Sequence, residues 1–131
     1  MLRLDATEGT VQGTSLTAAA IASRPRARAI TLPLPARFPR THYDAVIVAE
    51  LLYYLSPADM AHVATDVAAA LRPGGRLILA HHRIDFYDFT QHARGIQDRF
   101  LRLTGARWRV RRVRACTRWE VLVAQVCASR H

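Results

Sequence analysis

The sequence predicts an α/β fold whose sheet is mostly parallel and finishes in an antiparallel hairpin. Three observations carry that expectation. Apolar runs at 43–49 and 76–81 flank a helical pattern that starts at Pro57. Strand, helix, strand at these lengths is a crossover unit, so its two strands lie parallel. A second helical pattern covers 89–103, and beyond it Trp108, Val110, Val113 and Trp119, Val121, Val123 alternate with polar residues on either side of Cys116-Thr117. Alternation of that kind reads as a hairpin.

Each element has its own signals. Val11 to Leu16 reads as a strand, Thr17 to Ser23 as a short helix, and Arg28 to Leu32 as a further strand ended by Pro33 and Pro35. Tyr43-Asp44-Ala45-Val46-Ile47-Val48-Ala49 is a continuous apolar run, the pattern of a strand covered on both faces. Ser56 is the expected N-cap of the next helix, Pro57 sits where a missing N–H costs nothing, and Asp59 adds negative charge to the first turn. Met60, Val63, Ala64, Val67, Ala68 and Leu71 then recur at three- and four-residue steps. Arg72 falls in the expected last turn, and Pro73-Gly74-Gly75 is expected to end the helix. Arg76 to His81 is a second buried strand. Phe89 to Leu103 puts Ile96, Phe100, Leu101 and Leu103 near one face, with Gly105 closing it.

At 131 residues, 50% of them apolar and 22% charged, the chain reads as one domain over 1–131. No apolar run approaches the roughly 20 residues that cross a bilayer. Met1-Leu2-Arg3-Leu4-Asp5 does not open a secretory signal, so a soluble, cytoplasmic protein is expected. The net charge of +9 is unevenly placed. Residues 1–43 hold six Arg against two acids, 44–105 six against seven, and 106–131 seven against one. All 19 basic residues are Arg, and Ala is the commonest residue, a pairing that a GC-rich coding sequence produces by itself. Such charge speaks to solubility and nonspecific partners before it speaks to function. Cys116 and Cys127 form no CxxC and have no His pair at ligand spacing, so two reduced thiols and no metal site are expected.

The run from Tyr43 to Ala49, followed by Glu50-Leu51-Leu52-Tyr53-Tyr54-Leu55 and, after the helix, by Leu71-Arg72-Pro73-Gly74-Gly75-Arg76-Leu77, resembles the Rossmann-like, class I S-adenosylmethionine-dependent methyltransferases. Within them the chain is most similar to the NodS-like branch (nodulation protein S). The resemblance covers about residues 11–127 and is strongest over 43–83. It ranks 11–16 as second strand, 28–35 as third, 44–49 as fourth, 76–82 as fifth, and the hairpin as sixth and seventh. It implies S-adenosylmethionine as cofactor, a small-molecule methyl acceptor, N-methylation of an amino-sugar oligosaccharide for the NodS-like branch, and no metal.

The departures from the family pattern are specific. No Gly-x-Gly-x-Gly occurs in the chain, and Leu2 to Gly9 only echoes the first strand and its loop, with Asp5 and Thr7 where glycines belong. The acid that ends the second strand corresponds to Ser15, and the adenine-side acid falls on Pro33. The domain is therefore expected to be N-terminally truncated, lacking a recognisable first strand and glycine-rich loop. Loss of a central strand leaves the edge of 44–49 unpaired, and self-association through that edge is expected.

The resemblance sets the cofactor against Ser15, Leu16, Leu34, Ala49, Glu50 and Leu51, and the acceptor against Tyr54 and Arg83. His81 and His82, at the end of the fifth strand, are the candidate catalytic bases, because imidazole titrates near neutrality. Asp85 and Asp88, with Tyr87 between them, suit a polar or cationic substrate, and ordinary solvated loop acids explain them equally well; His42, His62, His92 and His131 read as surface residues. Two other classes of function stay open. One is a catalytically silent interaction module. The other is a basic nucleic-acid binder using Arg109, Arg111, Arg112 and Arg114 with Trp108 and Trp119; a half-exposed strand with arginines outward explains those residues more simply.

Overall fold

A computed structural model describes residues 4–8, 27–31 and 43–127. The chain divides into two compact units, Met1–Ala36 and Arg37–His131. In the first, β1 (Leu4–Glu8) pairs in parallel with β2 (Ala27–Thr31), Leu4 opposite Ala27 and Glu8 opposite Thr31. Leu4–Glu8, the segment that echoes the family's first strand, is a strand paired in parallel with β2. The sequence-based strand over 11–16 and helix over 17–23 lie outside the described residues.

The second unit is a four-stranded sheet in the order β3-β4-β6-β5, built from β3 (Tyr43–Ala49), β4 (Leu71–His82), β5 (Trp108–Ala115) and β6 (Trp119–Val126). β3 and β4 are parallel, and β6 runs antiparallel to both of its neighbours. The expected crossover and hairpin are both present. Helix α1 (Pro57–Ala70) joins β3 to β4, and α2 (Ile96–Leu103) precedes the hairpin.

Helix α1 starts as its residues dictate: Ser56 Oγ accepts from Asp59 N at 3.1 Å, with Pro57 in the first turn. Its end differs from expectation. The helix stops at Ala70, and Leu71 is already extended, so Arg72 and Pro73-Gly74-Gly75 belong to β4. The residue before a proline is driven away from helical backbone angles, which moves the stop upstream of Arg72. Gly75 has a separate role: a Cβ there would meet Arg72 O at 2.9 Å and Tyr43 O at 3.2 Å, so only glycine lets β4 approach β3 this closely.

The second correction concerns 89–103, of which only Ile96–Leu103 is helical. Gly95, at φ 72°, breaks the helical path. Upstream, the backbone bonds outward instead of along a helix: Thr90 N and Gln91 N both donate to Tyr53 O, and Ala93 N donates to the Asp85 carboxylate.

The third correction is to burial. Helices α1 and α2 cover one face of the sheet, where Val46, Val48, Leu77, Leu79, Leu122 and Ala124 meet Met60, Val63, Val67, Ile96 and Phe100 in the core. The other face of β3 is open, with Ala45, Ile47 and Ala49 exposed. The apolar run is therefore covered on one side, not two. Among the described residues β3 pairs with β4 alone.

In β5 every residue after Trp108 is exposed. A bulge between Arg112 and Arg114 sets Arg109, Arg111 and Arg114 opposite Gln125, Val123 and Val121, all on the open face. Both cysteines are free, and no helix of the described residues is long and apolar enough to cross a membrane. Phe100 is fully buried where α2 meets the sheet. Replacing it with Ala is expected to cost about 3–5 kcal/mol in chemical denaturation; a loss below about 1 kcal/mol would show that α2 is not part of the core.

Candidate functional site

The carboxyl ends of β3 and β4 lie side by side, and parallel sheets place ligands at such ends. β3 ends at Ala49 and β4 at His82, with Ala49 opposite Ala80. The next residue, Glu50, takes the left-handed backbone region at φ 54°, and it is the one non-glycine to do so among the described residues. Its N–H still reaches Ala80 O at 3.0 Å. The chain then turns through a short 3-10 segment, Leu52–Tyr54, and continues into α1.

Two adjacent histidines end β4, and alternation along the strand sends them to opposite faces. His81 is 1% exposed. Its Nε2 accepts from Leu51 N at 3.3 Å and Leu52 N at 3.2 Å. Backbone N–H groups can only donate, so Nε2 is unprotonated, the proton is on Nδ1, and Nδ1 donates to Gln97 Oε1 at 2.9 Å. Gln97, also buried, donates onward to Glu120 at 3.2 Å, and Arg112 meets the other Glu120 oxygen at 3.1 Å. Burial lowers the His81 pKa, with the Gln97 bond and the Glu50 charge working in the opposite direction. Both nitrogens are committed to holding the turn, which leaves this imidazole no free lone pair for substrate.

His82 is differently placed. Its Nδ1 donates to Glu50 Oε2 at 2.7 Å, and its backbone N is 3.2 Å from both Glu50 Oε1 and the Tyr53 hydroxyl oxygen. The Tyr53 hydroxyl donates to Glu50 Oε1. Burial, and then the bond to Glu50, push the Tyr53 pKa upward, so it stays a phenol and a donor. With Nδ1 held by the carboxylate, Nε2 is the lone-pair edge of the ring. The imidazole rests against Trp119 (ring centroids 3.8 Å apart) and Phe86 (5.1 Å).

Of the other sequence-predicted residues, Ala49, Glu50, Leu51 and Tyr54 gather at this strand end. Tyr54 is 44% exposed at its rim. Arg83 has a structural job: its Nη1 donates to Cys116 O at 2.9 Å and its backbone N to Arg118 O at 2.7 Å, tying β4 to the turn of the hairpin. Ser15, Leu16 and Leu34 lie outside the described residues. A cavity of about 200 Å³ lies between His81–Arg83, the start of α2, and Arg112 and Glu120.

Sequence reasoning passed over two participants. Trp119 was readable only as a stacking aromatic of the hairpin, and Gln97 carries no motif.

No protein-family model matches the chain, and no curated protein matches its sequence. Solved structures match in fold. The N-methyltransferase NodS from Bradyrhizobium japonicum WM9 aligns at TM-score 0.75 and 13% identity, over 95% of this chain and 73% of that one. The CurJ carbon methyltransferase aligns at 0.75 and 18%, over 96% of this chain and 42% of that one. This is a class I methyltransferase fold. The S-adenosylmethionine-dependent methyltransferase SibL shares it at 0.68 and 17%, over 95% of this chain and 43% of that one.

Replacing His81 with Leu removes the acceptor of two N–H groups and is expected to cost about 2–4 kcal/mol. The pH dependence has a definite sign. The unfolded chain takes a proton on this residue near its ordinary value of 6.5, while the folded chain resists it. Stability is therefore whole above that pH and falls as the solution is acidified below it. Melting curves from pH 8 to pH 5 should show that decline in the parent chain and a flatter one in His81→Leu; equal slopes would refute the assignment.

Proposed function

We propose that this chain transfers a methyl group from S-adenosylmethionine to a small-molecule oxygen or nitrogen, with His82 Nε2 receiving the acceptor's proton. The supporting observation is the Glu50–His82 pair, held at adjacent carboxyl ends of two parallel strands in a methyltransferase fold.

The residue types suit the cofactor in part. Ala49, Glu50 and Leu51 present the strand-end backbone. NodS has also been solved with S-adenosylhomocysteine, in a structure 14% identical to this chain. No glycine-rich loop is present in the sequence. When bound, S-adenosylmethionine would supply a sulfonium methyl for attack by an acceptor lone pair, with S-adenosylhomocysteine leaving as the thioether.

The chain's own residues supply positioning and a proton path. Glu50 fixes the His82 ring through Nδ1, and Tyr53 holds the carboxylate in place. Most of the rate in such a reaction comes from alignment of the reactants, with proton removal as an aid. Tyr54 lines the rim for the acceptor, while Arg83 acts by fixing the hairpin. The amino-sugar acceptor implied by the NodS-like resemblance is one candidate substrate. Self-association is a second proposal, supported by Ile47, 65% exposed on a strand with one partner among the described residues; replacing Ile47 with Glu should shift the sedimentation profile toward monomer, and an unchanged profile would discard it.

Calorimetry with S-adenosylmethionine and S-adenosylhomocysteine is the first test. Saturable heat with either is expected, and none with either would end the methyltransferase reading. In a turnover assay His82→Gln should lower the rate by about 10²- to 10⁴-fold while cofactor affinity holds. A parallel loss of affinity would place His82 in cofactor binding instead.

A further inference from the structure

The loop after β4 carries aromatic side chains at unusual density, and they converge on His82. Trp119 and Phe86 lie against the imidazole. Phe86 touches Phe89 at 5.2 Å, Phe89 stacks on Tyr53 at 3.8 Å and 9°, and Tyr54 meets Phe89 edge-on at 5.2 Å. These rings pack on one another and yet remain open to solvent, Phe86 at 46% and Trp119 at 38%. Contiguous apolar surface left exposed beside a reactive nitrogen marks a binding surface.

Most polar groups beside the rings are already used. Both Glu50 oxygens are taken by Tyr53 and His82, and both Asp85 oxygens by His92 and Ala93 N. Thr90 Oγ1 donates to Tyr54 O. A polyhydroxylated sugar would exchange water for few protein partners here, so most of its hydroxyls would add nothing to binding. A flat ring with a single hydroxyl needs one partner, and His82 Nε2 is that partner. The charges of Glu50 and Asp88, which help to raise the Tyr54 pKa after burial, make the rim unfavourable for an anionic ring.

We propose that the rings of Phe86 and Trp119 bind a neutral, planar aromatic molecule carrying a hydroxyl, a phenol-class acceptor whose O–H points at His82 Nε2. As a statement about the acceptor this rests on the methyltransferase reading above; as a statement about binding it does not. The aromatic faces contribute dispersion and edge or offset stacking, and the single hydrogen bond sets which atom of the ring faces the base.

The two indole N–H signals allow a direct test by NMR on the full chain without cofactor. Trp108 Nε1 is bound to Thr104 Oγ1 away from the site and serves as an internal control. Titration with 2-naphthol should shift the Trp119 signal saturably and leave Trp108 in place. The hydroxyl-free analogue 2-methoxynaphthalene and the Phe86→Ala variant should each weaken binding about fivefold; Phe86 is an exposed loop residue, so the variant retains the core. Glucosamine should move neither signal. A saturable Trp119 shift with glucosamine and none with 2-naphthol would overturn the proposal, as would equal movement of both indoles. If 2-naphthol binds at Trp119 while calorimetry finds no S-adenosylmethionine binding, the ring site stands and the methyltransferase reading falls.

Discussion

The acceptance of two backbone N–H groups by one buried imidazole holds the site together. Leu51 and Leu52 open the turn that follows β3, and the donors of a turn's first residues have no partner within it. His81 satisfies both from the neighbouring strand. That bond fixes where Glu50 stands, Glu50 fixes the ring of His82, and Tyr53, one turn on, closes the same network. Gln97 and Glu120 extend it to α2 and β6, so four elements bear on the position of a single carboxylate. Among the described residues no buried side-chain polar atom is left without a partner, as a low-dielectric network requires.

Much of the architecture was written in local chemistry. Ser56, Pro57 and Asp59 mark a helix start because each solves a problem particular to a helix N-terminus. The parallel pair β3 and β4 follows from one short crossover, and the hairpin from alternation around a turn. What the pattern did not carry was the tertiary environment. Val46 and Ile47 are equally apolar, so nothing local says that one is covered and the other open. The end of α1 depended on the proline that directly follows its last expected turn. Residues 89–93 have helical composition, but Tyr53 O and Asp85 draw their N–H groups away from a helix ladder.

The site shows the same division. The sequence placed two histidines at a strand end, and strand geometry required that they face opposite ways. Which of them was buried could not be read without knowing where α2 lay. One became a scaffold with both nitrogens used, and the other kept a free edge. Arg83 was read as a substrate contact from the resemblance, and the sequence did not show that one guanidinium N–H also ties it to a carbonyl of the hairpin turn.

The backbone of Glu50 points to something that contacts alone do not. A side chain in the left-handed region costs about 1–2 kcal/mol relative to glycine, and the bonds that the Glu50 carboxylate accepts from Tyr53 and His82 offset that cost. Glycine at position 50 would relax the backbone but strand the Tyr53 hydroxyl and untether His82, so the strain is held in place by the polar network that depends on it.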